Sequence, residues 1–260
     1  MTDSGNVTPT SEFDRRAEVS ALLATDETWL GDIYRSYSEG KTAIQIAEEF
    51  SVTPSPVYSY FRTIEALLDG TSTAPPTVAS GWAGRIRGWL KNKPLSPELR
   101  EALTRQEQLL SEASSDPAAT KAESEEAVTK SKAAEAENVP GVYVYTLPHY
   151  VRYPFDPKTG RTLLKVGHSS TSAHFRASAQ ARSTELPEDP WLLRIYPAES
   201  SAEAEKKFHA FLKAADHNGV KGNRTGAEWF LTSLKFLDHI AKSLDLTSIV
   251  VNDFEIPEDE

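Results

Sequence analysis

The stretch GVYVYTLPHYVRYPFDPKTGRTLLKVGHS, Gly141 to Ser169, decides how the second half of the chain folds. Its two ends, GVYVYTL (141–147) and TLLKVGHS (162–169), are short and rich in valine, leucine and tyrosine, so they read as strands. The Pro- and Gly-containing segment 148–161 between them reads as a loop, and the three pieces form a hairpin. Working outward, TSAHFRASAQARST (171–184) has helical character and WLLRIYPA (191–198) is a third strand. SSAEAEKKFHAFLKAA (200–215) is a helix whose Ala204, Phe208, Phe211 and Leu212 line one face behind a serine N-cap. HNGVKGNRTG is a loop, AEWFL a short strand or strand end, and TSLKFLDHIAKSL a closing helix. The order β-β-α-β-α-(β)-α predicts an α+β domain over 141–250, long enough for one core.

Towards the N-terminus the pattern changes. Residues 1–12 are polar, and 13–35 have apolar residues near helical spacing. Ile44, Ile46, Ala47 and Phe50 form one apolar face, Ser51-Val52-Thr53 breaks the period, and Val57, Tyr60, Phe61 and Ile64 resume it. Pro54 suits the first turn of a new helix. Two short helices joined by a tight turn resemble a helix-turn-helix, with Ser51 where the turn glycine usually stands. In a DNA-binding reading Ser55, Tyr58, Ser59 and Arg62 of the second helix meet bases and phosphates. The other reading is a helical module that contacts a protein partner. Residues 70–140 are expected to be a linker. It starts with a Gly/Pro/Ser/Thr segment at 70–81 and continues with a basic amphipathic helix carrying Trp82, Arg85, Arg87, Trp89, Lys91 and Lys93. An Ala/Glu/Ser/Lys spacer over 112–138 follows, too poor in apolar residues to build a core. The expected divisions are therefore 1–69, 70–140, 141–250 and an acidic tail at 251–260.

Composition narrows the function. The chain has 260 residues, no cysteine and a formal net charge of −10. Without cysteine there is no disulfide framework, no Cys-containing zinc site and no cysteine nucleophile. No apolar run approaches the length of a membrane span, and the polar, acidic start has no signal-peptide core, so a cytoplasmic protein without membrane contact is expected. The acidity is unevenly distributed: residues 1–69 carry −7, 70–111 carry +3, 112–140 carry −4, 141–250 carry +3 and 251–260 carry −5. All six histidines fall in the mildly basic 141–250 block. Fields are local, so that block can approach a polyanion despite the overall sign.

GVY at 141–143 followed by KVG at 165–167 resembles the paired tripeptides of the GIY-YIG nuclease superfamily. Arg176 stands nine positions after Gly167, and Glu205 with His209 follows on a later helix. AEWF at 227–230 makes the likeness nearest to the phage-T5-Orf172-like branch. The resemblance covers 141 to about 245 and implies a small mixed sheet flanked by helices. It also implies metal-dependent hydrolysis of DNA phosphodiester bonds. Carried over residue by residue, Tyr143 would orient or deprotonate the attacking water, with His168 the alternative base. Lys165, where the family usually has a second tyrosine, and Arg176 would bind the phosphate. Glu205 would hold Mg2+ or Mn2+, with His209 and Glu228 as additional candidates. Arg152 and Arg182 are further candidates for contacting DNA.

Each of these residues has an ordinary reading too. Tyr143 alternates with valines as a core residue would, and Arg176 and Glu205 could be solvated helix charges. Glu205 and His209 could be a structural i,i+4 pair. Lys165 in place of tyrosine raises a second function, a DNA-binding or regulatory protein without catalysis. The acidic helical head suggests a third, a protein-interaction adaptor. The sequence leaves the oligomeric state open.

Overall fold

The computed structural model describes residues 13–50, 52–156, 160–170, 188–217 and 228–254. In chain order the helices are α1 (Arg15–Ala24), α2 (Trp29–Ser38), α3 (Ala43–Glu49), α4 (Pro54–Asp69), α5 (Pro76–Asn92), α6 (Pro97–Ser114), α7 (Pro117–Ala136), α8 (Pro148–Arg152), α9 (Ser201–Ala214) and α10 (Leu234–Ser243). The strands are β1 (Gly141–Thr146), β2 (Thr162–Ser169), β3 (Trp191–Pro197), β4 (Trp229–Thr232) and β5 (Ile249–Val250). The protein is α+β, with a helical N-terminal part and a sheet in the C-terminal part. Among the described residues no helix is long and apolar enough to cross a membrane.

Local chemistry sets the helix boundaries. Thr42 and Gln45 form a reciprocal capping box at the start of α3. Prolines occupy the first turns of α4, α5, α6 and α7, where a missing N–H costs nothing. The single helix expected over 13–35 is divided at Asp26. This buried carboxylate accepts the Thr28 amide at 2.8 Å and Lys93 Nζ at 2.7 Å, which turns the chain between α1 and α2.

The segment expected as a linker is packed structure instead. Trp82 and Trp89 of α5 and Leu99, Leu103 and Leu110 of α6 share one core with Val19, Ile33, Ile46, Val57 and Ile64. The basic residues of α5 are its solvent side: Arg87 pairs with Glu107 at 2.6 Å, and Arg85 lies over the Tyr60 ring. α7 replaces the expected spacer. Its buried Ala127, Ser131 and Glu135 are four apart and form one stripe against the sheet. Small side chains let the helix come close enough for Ser131 Oγ to accept the Leu192 amide at 2.9 Å.

The sheet order is β4-β2-β1-β3-β5, and among the described residues every pairing is antiparallel where a mixed sheet was expected. One face, with Val142, Val144, Leu164, Val166 and Tyr196, is covered by Ala204, Phe208 and Leu212 of α9 and by α10. The opposite face, with Tyr143, Tyr145, Leu192 and Ile195, is closed by Ala134 and Val139 from α7 and its exit. A bulge at Leu193 keeps both halves of β3 in phase with β1. The domain also extends past its expected end at 250. Asn252 is buried and donates to Ala127 O, Ser131 Oγ and Leu192 O, and Phe254 stacks on Trp191 at 4.4 Å.

The helical unit docks on the sheet domain through the start of α4. Thr53 donates to Asp238 at 3.3 Å, Ser55 donates to Asp253 at 2.9 Å, and Arg62 lies 3.9 Å from Asp253. Lys235 sits 3.4 Å above the Trp29 ring.

Candidate active site

The two tripeptides meet across β1 and β2. Tyr143 is the direct partner of Gly167, Tyr145 of Lys165 and Val142 of His168. Directly opposed residues share a face, so Tyr143, Lys165 and Gly167 lie on one side and His168 on the other. Gly141 is required on the other edge of β1, for its pairing with β3: a Cβ there would lie 2.4 Å from the Tyr196 carbonyl oxygen.

The β2 segment that holds Gly167 and His168 runs beyond the end of β4. At this open edge α9 reaches round from one face and the entry to β4 from the other. The Val166 amide donates to Glu228 O at 2.8 Å, which fixes Glu228 at the corner. Its carboxylate is 3.2 Å from Lys165 Nζ. Glu205, one turn into α9, is 3.6 Å from His168 Nε2. Gly167 has no side chain, and the point a Cβ would occupy is 3.7 Å from Glu228 Oε2 and 3.9 Å from Glu205 Oε1. Two carboxylates, a lysine and a histidine thus converge on a notch kept open by glycine. Glu205 is 15% exposed and Glu228 34%, so a solvated ligand can reach both.

Ser201, at the start of α9, completes the histidine's surroundings. Its Oγ is 3.2 Å from His168 Nδ1. The sequence marks this serine only as part of a helix start. Ser200 occupies the cap position without a side-chain capping bond, and Ser201 faces the ring instead. His209 plays a different part. Its Nε2 is 2.9 Å from the Val166 carbonyl oxygen, so this nitrogen carries a hydrogen and donates it. A nitrogen that donates there has no lone pair for a metal, and His209 fastens α9 to β2.

Tyr143 is 2% exposed and its hydroxyl donates to Val139 O. Burial, then the nearby Glu135 carboxylate, pushes its phenol above the ordinary tyrosine value. A phenol shifted upward stays neutral at ordinary pH, which suits orienting a water better than deprotonating one. Tyr145 beside it is driven up still further by burial and by Glu135, to which it donates. Among the described residues no group of three histidine or acidic side chains forms a ready-made metal cage.

The remaining candidates are dispersed. Arg152 ends α8, away from the notch in sequence, and its Nε is buried with no hydrogen-bond partner among the described residues. On α4, Ser55 donates to Asp253 and Ser59 is buried, while Tyr58, at 53% exposure, and Arg62, 3.9 Å from Asp253 and 51% exposed, face outward. At the start of α4, Thr53 and Ser55 are engaged by the protein's own sheet domain. Arg176 and Arg182 lie outside the described residues.

Residues 141–245 match the family model of the T5orf172 domain. The matched span begins at the first residue of β1, ends just beyond α10 and includes every residue around the notch. No curated protein and no solved structure matches the chain.

Proposed function

We propose that the sheet domain is a divalent-metal-dependent DNA endonuclease that hydrolyses phosphodiester bonds at the Gly167 notch. The observation that carries this reading is the convergence of Glu205 and Glu228 on that notch, flanked by Lys165 and His168, within the T5orf172 match. A DNA-related role is what that match suggests, and the reaction is inferred from the side chains. Paired carboxylate oxygens with solvent access suit Mg2+ or Mn2+, which keep several ligand positions for water and phosphate. When bound, the ion supplies Lewis-acid polarisation of the phosphate.

The chain's own residues do the rest. With Nδ1 protonated and donating to Ser201, His168 has a lone pair on Nε2 and can take the proton of the attacking water. The water oxygen then bonds to phosphorus as the bond to the leaving sugar oxygen breaks. That oxygen takes its proton from solvent. Lys165 offers positive charge to the pentavalent state. Tyr143, neutral and with its proton donated to Val139 O, can orient the water only as an acceptor, through its remaining oxygen lone pair. Arg176 is assigned to clamp the scissile phosphate through its fork of donors.

The test incubates supercoiled and branched DNA with the purified chain and Mg2+ or Mn2+, beside Glu205→Gln, His168→Gln and Arg176→Ala. Cutting by the wild type that needs the metal and falls about a hundredfold or more in each variant is expected, the scale of losing one general base or charge stabiliser. Equal cutting by all variants would mean a wrong site. A second reading, DNA binding without catalysis, is favoured by the Lys165–Glu228 ion pair, which already satisfies one carboxylate. Retained binding with no cutting on any substrate would establish it.

A further inference from the structure

A row of aromatic rings leads away from the notch. Trp229 is the direct cross-strand partner of Lys165, so both lie on the same side of the sheet. The Tyr150 ring is 6.1 Å from Trp229, His149 is 5.8 Å from Tyr150, and Tyr153 is 5.1 Å from His149. The row ends in solvent: Tyr153 is 67% exposed, and Phe155 two residues on is 68% exposed, more than any other large hydrophobic residue described. Both lie between α8 and β2, in the loop whose aromatic and basic residues leave open either a DNA groove or packing on the domain. Nothing in the core requires them there, because Val151 and Pro148 already seat α8. In sequence Arg152 stands between Tyr150 and Tyr153, and the backbone of Arg161 forms a β-bridge with Asp156, the residue after Phe155.

We infer that this row is a stacking surface for unpaired bases, and that the substrate at the notch is single-stranded DNA or DNA with an unpaired segment. This deepens the nuclease reading and rests on it. Exposed rings offer flat faces on which the bases of a nucleic-acid strand can stack. In a duplex the faces of internal bases are covered by their neighbours, so only an unpaired base can offer one to Tyr153 or Phe155. The exposed large side chains here, Tyr153 and Phe155, are both aromatic, which suits flat bases better than an aliphatic protein surface.

The experiment measures fluorescence anisotropy of the full chain in EDTA, where nothing is cut. It compares a short labelled single strand with the same strand annealed to its complement. The wild type is expected to bind the single strand about tenfold or more tightly than the duplex. Tyr153→Ala and Phe155→Ala each weaken the single strand by about 5- to 150-fold, with the duplex unchanged and thermal melting unaltered. Tyr153→Trp restores binding, and quenching of a 2-aminopurine in the strand is lost in the alanine variants only. Equal affinity for the two forms, or alanine variants that bind the strand as the wild type does, would overturn the inference, including in favour of a protein partner for the row. Cutting assays on the same proteins separate the two readings. Cutting with unchanged strand affinity in the variants rejects the stacking surface alone. Strand binding that depends on Tyr153 and Phe155 with no cutting rejects the nuclease alone.

Discussion

Gly141, which begins β1, and Gly167, late in β2, are glycine for opposite reasons, and alanine at each position separates them. At Gly141 a methyl would meet the Tyr196 carbonyl at 2.4 Å, and backbone cannot move aside as a flexible side chain would. Gly141→Ala is therefore expected to cost about 1–3 kcal/mol in urea unfolding, the range for forcing an extra methylene into packed structure. At Gly167 the methyl would sit at ordinary contact distance from Glu228 and Glu205, so Gly167→Ala should unfold within about 0.5 kcal/mol of the wild type. It nevertheless fills the point where the carboxylates meet. Metal-dependent cutting that survives this change undiminished would move the active site elsewhere. His217 provides a pH readout of the same core. It is buried against Phe236, with Nδ1 2.7 Å from Thr232 Oγ1, and burial followed by the Arg161 charge lowers its pKa below 6.5. The unfolded chain takes up this proton more readily than the folded one, so the contribution is present above about 6.5 and lost as pH falls through the folded value. Urea midpoints should drop between about pH 7.5 and 5.5 in the wild type and drop less in His217→Gln. An identical drop in both would assign the acid sensitivity to other groups.

Among the elements, α7 contributes most that composition hides. Hydrophobic periodicity reveals a helix only when large apolar residues mark its buried face, and here that face is Ala127, Ser131 and Glu135. The helix binds through close backbone approach and hydrogen bonds that one-dimensional patterns do not record. Ser131→Ala is expected to cost about 1–3 kcal/mol, because it leaves the buried Leu192 amide without its acceptor and takes one from Asn252. A change within error in thermal melting would mean that water replaces the hydroxyl. Where large residues alternate or recur, the elements are legible: β1, β2, β3, α9 and α10 follow from their own patterns. α5 keeps the amphipathic pattern read from its sequence: Trp82 and Trp89 are core, and Arg87 faces out to Glu107. The candidate site is legible in the same measure. The tripeptides and the Glu205–His209 turn lie close in sequence to what they do. Ser201 against His168 and Glu228 against Lys165 depend on β2 meeting α9 and β4, contacts that no local signal encodes.

At the scale of the molecule, one guanidinium joins the two units. Arg194 is 1% exposed and donates to Asn252 O at 3.0 Å and Asp253 Oδ1 at 2.8 Å, with Asp238 Oδ2 3.5 Å away. Asp238 in turn accepts from Tyr196 at 2.8 Å, Ser248 at 3.1 Å and Thr53 at 3.3 Å, and Asp253 accepts from Ser55. The start of α4 thus touches the sheet domain through carboxylates that Arg194 neutralises. This arrangement accounts for how acidic residues near the chain's end can be packed without repulsion, and why the overall charge of −10 is a poor guide to any one surface. Removing the cation strands buried negative charge, so Arg194→Met is expected to cost about 3–5 kcal/mol. Ser55→Ala and Thr53→Ala, which each remove one hydrogen bond at the edge of the network, should cost about 1 kcal/mol or less. Unfolding followed by far-ultraviolet circular dichroism and by tryptophan fluorescence tests the coupling as well as the cost. Tryptophans lie in both units, and if the network makes them one cooperative body the two signals coincide in the wild type. In Arg194→Met they should separate, with α4 leaving the sheet domain before the sheet itself unfolds. Coincident transitions in that variant at wild-type midpoint would show that α7 and the hydrophobic contacts alone hold the units together.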